Sequence, residues 1–222
     1  MSAMAESAET AAILARALDY PYATPEGSYL YRDGAAAELP EEPDLTGRSP
    51  LLAYGANAAP VALGRKLAQL PGVEMPVLQF ELKGFDVVYS AHVSPYGSVP
   101  ATLVESPGTV APVFVLHPTA EQLALLSASE PNYDLVEVTG VPAYRSKHGP
   151  LSLGGSAVAL AAVRSGGRTL PELDEPAVLE CARVGVAPEL TLLEFVSACV
   201  ERGGIKPLPV LDTPGWAQCP MR

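Results

Sequence analysis

Positive charge is what this chain has least of: 14 Lys and Arg stand against 25 Asp and Glu, a formal net charge of −11. Basic residues this few and this scattered exclude a surface built to neutralise a phosphate backbone, so neither nucleic acid nor an anionic membrane is expected as a partner. Cysteine is almost as scarce. Cys181, Cys199 and Cys219 all fall in the last fifth of the chain, odd in number and without C-x-x-C spacing. That pattern speaks against a zinc site or a disulfide framework and leaves buried free thiols as the expectation. Long hydrophobic runs are missing too: the longest, residues 157–163, falls far short of the roughly 20 residues a membrane-spanning helix needs. Near the start, Glu6 and Glu9 sit where a signal peptide would be basic, and Arg16 breaks the apolar stretch. The expectation is a protein of the reducing cytoplasm.

Several catalytic signatures are absent. There is no G-x-S-x-G, no G-x-G-x-x-G, no phosphate-loop lysine motif and no H-E-x-x-H, and His92, His117 and His148 lack ligand spacing. Serine-hydrolase, nucleotide and metal chemistry therefore have no support, and no cofactor or metal is expected. Each histidine reads as a surface or satisfied core residue. No repeat of useful length appears, which argues against a solenoid.

What is present is a foldable pattern. At 222 residues, 48% of them hydrophobic, the chain can bury a real core as one domain with extensions. Ile13, Leu14, Ala17 and Leu18 predict a short N-terminal helix. Residues 21–50, crowded with Pro, Gly and acids, predict an extension wrapped on the main domain and anchored by Tyr20, Tyr22, Tyr29 and Tyr31. A buried strand is predicted over 51–55, then a helix opened by Pro60 and ended by Pro71-Gly72. Strands follow over 77–90, 101–105 and 110–117, a helix over 118–129 stopped by Pro131, strands over 133–138 and 157–163, and two helices between 171 and 200. From Gly203 on, the Pro-rich chain reads as a surface tail. The division is thus 1–49 as N-terminal helix and extension, 50–202 as the main domain, and 203–222 as tail. Residues 144–148, a small basic island, read as an exposed loop that could at most meet an anionic substrate tail at a pocket rim.

Two segments can carry chemistry. The apolar run Leu51-Leu52-Ala53 delivers Tyr54-Gly55-Ala56-Asn57 into a strand-to-helix turn whose backbone N–H groups can converge on a carboxylate or a developing oxyanion. Glu130 lies at the C-terminal edge of the helix predicted over 118–129, where a carboxylate opposes the helix dipole at a cost of about 0.3–1 kcal/mol. Structure alone would rarely choose that position.

Taken together, Tyr54-Gly55-Ala56-Asn57 at a strand end and Leu126-Ser127-Ala128-Ser129-Glu130 followed by Tyr133, with Pro100-Ala101-Thr102-Leu103 between them, resemble the γ-glutamylcyclotransferase-like superfamily. Its marks are Tyr-Gly-Ser-Asn and a helix-end Leu-Asp-x-x-Glu followed by Tyr. The resemblance covers residues 50–165 and, less completely, the helical region to about 202. It implies an α+β fold: a small, mostly antiparallel β-barrel flanked by helices, with the active site at the barrel mouth. It also implies Glu130 as catalytic acid/base and Tyr54, Gly55, Ala56 and Asn57 as substrate-binding residues, with Tyr133 as a wall of the pocket.

The implied reaction is conversion of a small γ-glutamyl amine or amino acid to 5-oxoproline and free amine. The nucleophile is already in the substrate, so holding it in the reactive pose can supply up to about 7–11 kcal/mol and one carboxylate suffices. Three departures bear on it: Ala56 stands for Ser, Ser127 for Asp and Pro131 for Gly, and Ala161-Ala162-Val163 stand where a pocket-facing Tyr is common. The lost Ser hydroxyl removes a hydrogen bond worth about 0.5–1.5 kcal/mol, and the lost Asp is expected to loosen the loop that aims Glu130. Two other functions share this pattern: a non-catalytic protein that binds a carboxylate metabolite or a partner, and a related amide hydrolase or amine transferase.

Overall fold

The computed structural model describes residues 3–208. Eleven strands are present: β1 (Tyr29–Arg32), β2 (Ala35–Ala37), β3 (Leu51–Ala53), β4 (Glu74–Tyr89), β5 (Ala101–Leu116), β6 (Tyr133–Val138), β7 (Val141–Ser146), β8 (Ser152–Leu153), β9 (Ser156–Ala157), β10 (Ala159–Leu160) and β11 (Glu172–Leu173). Five α-helices accompany them: α1 (Ala3–Leu18), α2 (Pro60–Lys66), α3 (Ala120–Ala128), α4 (Glu175–Val186) and α5 (Leu192–Glu201). Strands β8 and β9 make a separate hairpin. The other nine form one mixed sheet in the order β11-β10-β4-β5-β3-β7-β6, with β1 on β4 and β2 on β1.

The sheet is built on the β4–β5 ribbon, antiparallel from Val77↔Leu116 to Tyr89↔Ala101, with one irregularity between Lys83 and Phe85. Strand β3 lies inside the sheet, antiparallel to β5 (Leu52↔Val115) and parallel to β7 (Leu52↔Ala143). Its side chains alternate between two cores, as the two-residue period of a strand requires. Leu52 joins Ala17, Leu179 and Phe195. Leu51 and Ala53 join Leu63, Leu67 and Leu126 on the other face. Helices therefore cover both faces, and β3 can be apolar at every position. Full burial of Leu63 alone is worth about 1.5–3 kcal/mol.

The α+β class is as expected from sequence. The described sheet is open, in that its outermost strands β11 and β6 do not pair with each other. The strand expected over 77–90 falls almost wholly within β4, whereas the two expected over 101–105 and 110–117 are one long strand, β5. Gly84, at φ +80, bends β4 without ending it, and Pro112 sits within β5. The strand expected over 157–163 is broken into Ala157 at the end of β9 and the two residues of β10, because the chain turns at Val163 and Ser165 to let Gly166 bridge Val110.

Other corrections follow from pairing. Residues 144–146 belong to strand β7 rather than a loop: registered against β6, Tyr144 points inward and is buried while Arg145 stays exposed. The chain after Gly203 is not all surface, since Ile205 bridges Val93 and Leu208 is buried; the rest of the predicted tail lies outside the described residues. Cys199 is a buried free thiol, but Cys181 is disulfide-bonded, against the expectation of free thiols. Spacing along the chain carries no information about which sulfurs the fold brings together. Among the described residues, no helix is long and apolar enough to cross a membrane.

The helix starts obey local rules. Helix α2 begins with Pro60 at its first turn, and Arg65 and Lys66 in its last turn complement the dipole. Helix α3 carries a full capping box: the Gln122 N–H donates to Thr119 Oγ1 at 3.3 Å, and the Thr119 N–H to Gln122 Oε1 at 3.0 Å. The four tyrosines of the N-terminal extension are all buried, and the Tyr29 hydroxyl donates to the Ala58 carbonyl at 2.7 Å.

Candidate functional site

Because β3 is an inner strand, the turn that leaves it opens in the middle of the molecule. Residues 56–58 form a single 3-10 turn, closed by the Ala58 and Ala59 N–H groups donating to the carbonyls of Gly55 (2.9 Å) and Ala56 (3.0 Å). Tyr54, Gly55, Ala56 and Asn57 line a cavity of about 350 Å³, and Glu130 and Tyr133 line the same cavity. All six residues singled out from sequence therefore meet in one place.

The Glu130 carboxylate is held by two donors that also bond to each other. The Asn57 amide donates from Nδ2 to Glu130 Oε1 at 3.0 Å. Lys66 Nζ donates to the same oxygen and also to Asn57 Oδ1, the latter at 2.7 Å. Lys66 and Glu130 side chains are 13% and 14% exposed, so the pair sits largely out of solvent. Glu130 Oε2 has no hydrogen bond to the protein among the described residues.

The loop that carries Glu130 is fixed by hydrogen bonds of Ser127 and Ser129. Ser127 Oγ lies 2.7 Å from the Tyr144 hydroxyl, and the Ser127 carbonyl accepts from the Glu130 N–H at 3.1 Å. Ser129 Oγ donates to the Leu126 carbonyl at 2.7 Å, and the Tyr133 N–H donates to the Glu130 carbonyl at 3.1 Å. These four hydrogen bonds tie the end of α3 to Tyr144 and to its own backbone at the position where Ser127 led to the expectation of a looser loop.

Tyrosines make the walls. Tyr54 donates its hydroxyl to the Tyr144 carbonyl. Tyr20 and Tyr133 take opposite sides of one residue: the Ala101 N–H donates to the Tyr20 oxygen at 2.7 Å, and the Tyr133 hydroxyl donates to the Ala101 carbonyl at 2.9 Å. Burial raises the pKa of Tyr20, Tyr54 and Tyr133 above the ordinary tyrosine value, so all three remain neutral phenols. Gly55 is required by this packing, because a Cβ there would stand 2.6 Å from the Tyr20 hydroxyl.

The N-terminal segment is a wall of the cavity, not a remote brace. Tyr22 holds φ +70, a left-handed conformation that costs a bulky residue on the order of 1–2 kcal/mol. Its ring packs edge-on to Tyr20 and lies under the Arg65 guanidinium, 4.9 Å from its carbon. From α1, Arg16 stacks on the Tyr96 ring at 4.0 Å. The Tyr96 loop is pressed against the helices, since a Cβ on Gly97 would meet Val196 Cγ1 at 2.6 Å and Ala17 Cβ at 3.3 Å.

His92 completes the lining. It is buried, its Nδ1 lies 2.7 Å from Ser90 Oγ, and its ring centroid is 5.0 Å from that of His148. Burial, assisted by His148 and Lys206, pulls its pKa down to about 3, so it is neutral at ordinary pH. Among the described residues no group of three or more His, Cys, Asp or Glu is placed to hold a metal ion.

Sequence reasoning missed Lys66, Arg65, Arg16, His92 and Tyr144. Lys66 and Arg65 had a faint signal as cations ending a helix that follows the turn. Arg16, His92 and Tyr144 reach the cavity only through tertiary packing. Comparison with protein-family models, with curated proteins and with solved structures found no match.

Proposed function

We propose that the cavity is the active site of an amide-cleaving, lactam-forming enzyme of γ-glutamylcyclotransferase-like type, acting on a small γ-glutamyl amine or amino acid. The observation that carries the reading is the direct hydrogen bond between Asn57 of the turn and Glu130 at one cavity. A small substrate can touch both. The barrel form of the sheet and a cytoplasmic location belong to the same proposal.

In the proposed reaction the substrate's α-amine attacks its own γ-carbonyl carbon, a C–N bond closes the five-membered ring, and the C–N bond to the leaving amine breaks. Glu130 Oε2, which has no hydrogen bond among the described residues, takes one proton from the α-ammonium and passes it to the leaving nitrogen; the second proton, shed by the ring nitrogen once the new C–N bond has formed, follows to the amine, which departs as an ammonium. The N–H groups of residues 55–57 face the oxyanion or the substrate carboxylate. Neutral tyrosines confine the substrate and exclude water from the developing ring.

One observation favours a second reading, that of a carboxylate-metabolite binder without catalysis. Lys66 already pairs with Glu130 through Oε1, so the negative charge that would attract a substrate ammonium is matched in advance. In the enzymatic reading a substrate must share or displace that contact. A related amide hydrolase or amine transferase would use the same Glu130 with water or a second amine as nucleophile.

Incubation with a panel of γ-glutamyl amides and assay of 5-oxoproline tests the proposal. Product formed by the native chain and lost in Glu130→Gln supports it. No product from any member of the panel leaves the binding reading in its place.

A further inference from the structure

The cavity is the cationic spot of an acidic protein. Three cations line it, Arg16, Arg65 and Lys66, against one carboxylate, Glu130. Lys66 is matched by Glu130. The two arginines are matched by nothing: neither takes part in an ion pair among the described residues, and Arg16 Nε is shut off from solvent without a hydrogen-bond partner. The chain as a whole carries a net charge of −11, so acids to pair with them were abundant.

Both guanidiniums are also pre-positioned. Arg16 Cζ stands over the Tyr96 ring at 4.0 Å and Arg65 Cζ over the Tyr22 ring at 4.9 Å, contacts that restrain each guanidinium without consuming its N–H donors. A planar fork of donors held in this way suits the two oxygens of a carboxylate or a phosphate. Two uncompensated positive charges beside apolar and aromatic walls also focus the potential on the cavity, against the negative field of the rest of the surface.

We infer that Arg16 and Arg65 form an anion subsite, and that the ligand of this cavity carries an anionic oxygen group, carboxylate or phosphate, in addition to whatever engages Glu130. This deepens the proposed reading by naming the substrate class: the leaving portion is acidic, and its charge is recognised by residues of α1 and α2. It rests on that reading for the identity of the γ-glutamyl half only. The basic island at 144–148 does not take this role, since Lys147 is turned to Asp134 and to the Pro131 carbonyl.

Calorimetric titration of the full chain carrying Glu130→Gln, which stops turnover, tests the subsite. The probes are γ-glutamylglycine, its C-terminal carboxamide and γ-glutamylaminomethylphosphonate. The expected result is at least tenfold tighter binding of the two acids than of the amide, with the difference lost in Arg16→Gln/Arg65→Gln. The stronger of the two acids then identifies carboxylate or phosphate as the natural group. Equal affinity for acid and amide, or no binding by any probe, overturns the inference. If the double variant fails to fold, the salt dependence of the arginine-intact chain decides: affinity for the acids must fall with ionic strength while that for the amide stays level. The two readings fail separately. An acid preference without 5-oxoproline formation by the native chain sinks the reaction and leaves the subsite, whereas product formation without an acid preference sinks the subsite alone.

Discussion

Asn57 and Glu130, separated by 73 positions in the chain, are joined by a 3.0 Å hydrogen bond, and Lys66 closes the triangle by donating to both. The turn, the end of α2 and the end of α3 are thus tied at one carboxylate. The consequences can be measured without knowing the substrate.

Removing the ammonium leaves a carboxylate that is 14% exposed with only one amide for company. Lys66→Met should therefore lower stability by about 1–3 kcal/mol, between the values for surface and buried pairs. Adding Glu130→Gln to Lys66→Met should recover most of the loss, because the orphaned charge is then gone. Urea denaturation of the two single variants and the double variant checks this, and additive losses would show that the pair is not coupled.

Gly55 and Tyr20 form a second coupled pair. Gly55→Ala places a methyl 2.6 Å from the Tyr20 hydroxyl and should cost about 1–3 kcal/mol by overpacking. Tyr20→Phe deprives the buried Ala101 N–H of its acceptor, at about 1–3 kcal/mol. Combined, the two should cost less than their sum, since the hydroxyl that clashes is the one removed. A thermal-melt cycle over the four proteins decides it.

Two buried groups give opposite pH responses. The folded pKa of His92, near 3, lies below the ordinary value of about 6.5, so between these limits the unfolded chain binds a proton that the folded chain refuses. Its contribution is complete above about pH 6.5 and lost as pH falls, by at most about 1.4 kcal/mol per pH unit. Glu175 behaves inversely. Burial raises its pKa well above the usual range, its Oε1 accepts from the Val99 N–H at 2.7 Å, and its Oε2 is buried without a partner. Its contribution is present below the ordinary carboxyl pKa and lost as pH rises toward the folded value. Denaturation from pH 4 to 8 should show His92→Gln flattening the acid limb and Glu175→Gln gaining stability at pH 8 but not at pH 4.

Much of the local structure was legible in the chain. Pro60 opening α2, the helix over 118–129 that is realised as α3, and the two helices between 171 and 200 that are realised as α4 and α5 are local signals, and they were read close to their true places. The turn at 54–57 and Glu130 were legible as a pair because a motif carries both. Strand β7 was not: its residues look like a polar loop until pairing with β6 turns Tyr144 inward. Cys181 was misjudged for the same reason, since partnership is a distance and sequence spacing is not.

By itself the sequence determined the helices, the buried strand β3, the acidic surface and the residues that reach the centre of the fold, because propensity, capping and side-chain period act over a few residues. Only the tertiary structure decided that Lys66 stands on Glu130, that the sheet is open among the described residues, and that α1 and the tyrosines after it wall the cavity and bring Arg16 beside Tyr96. Those arrangements arise from burial and charge pairing between segments dozens of residues apart, and no pattern within a single segment encodes them.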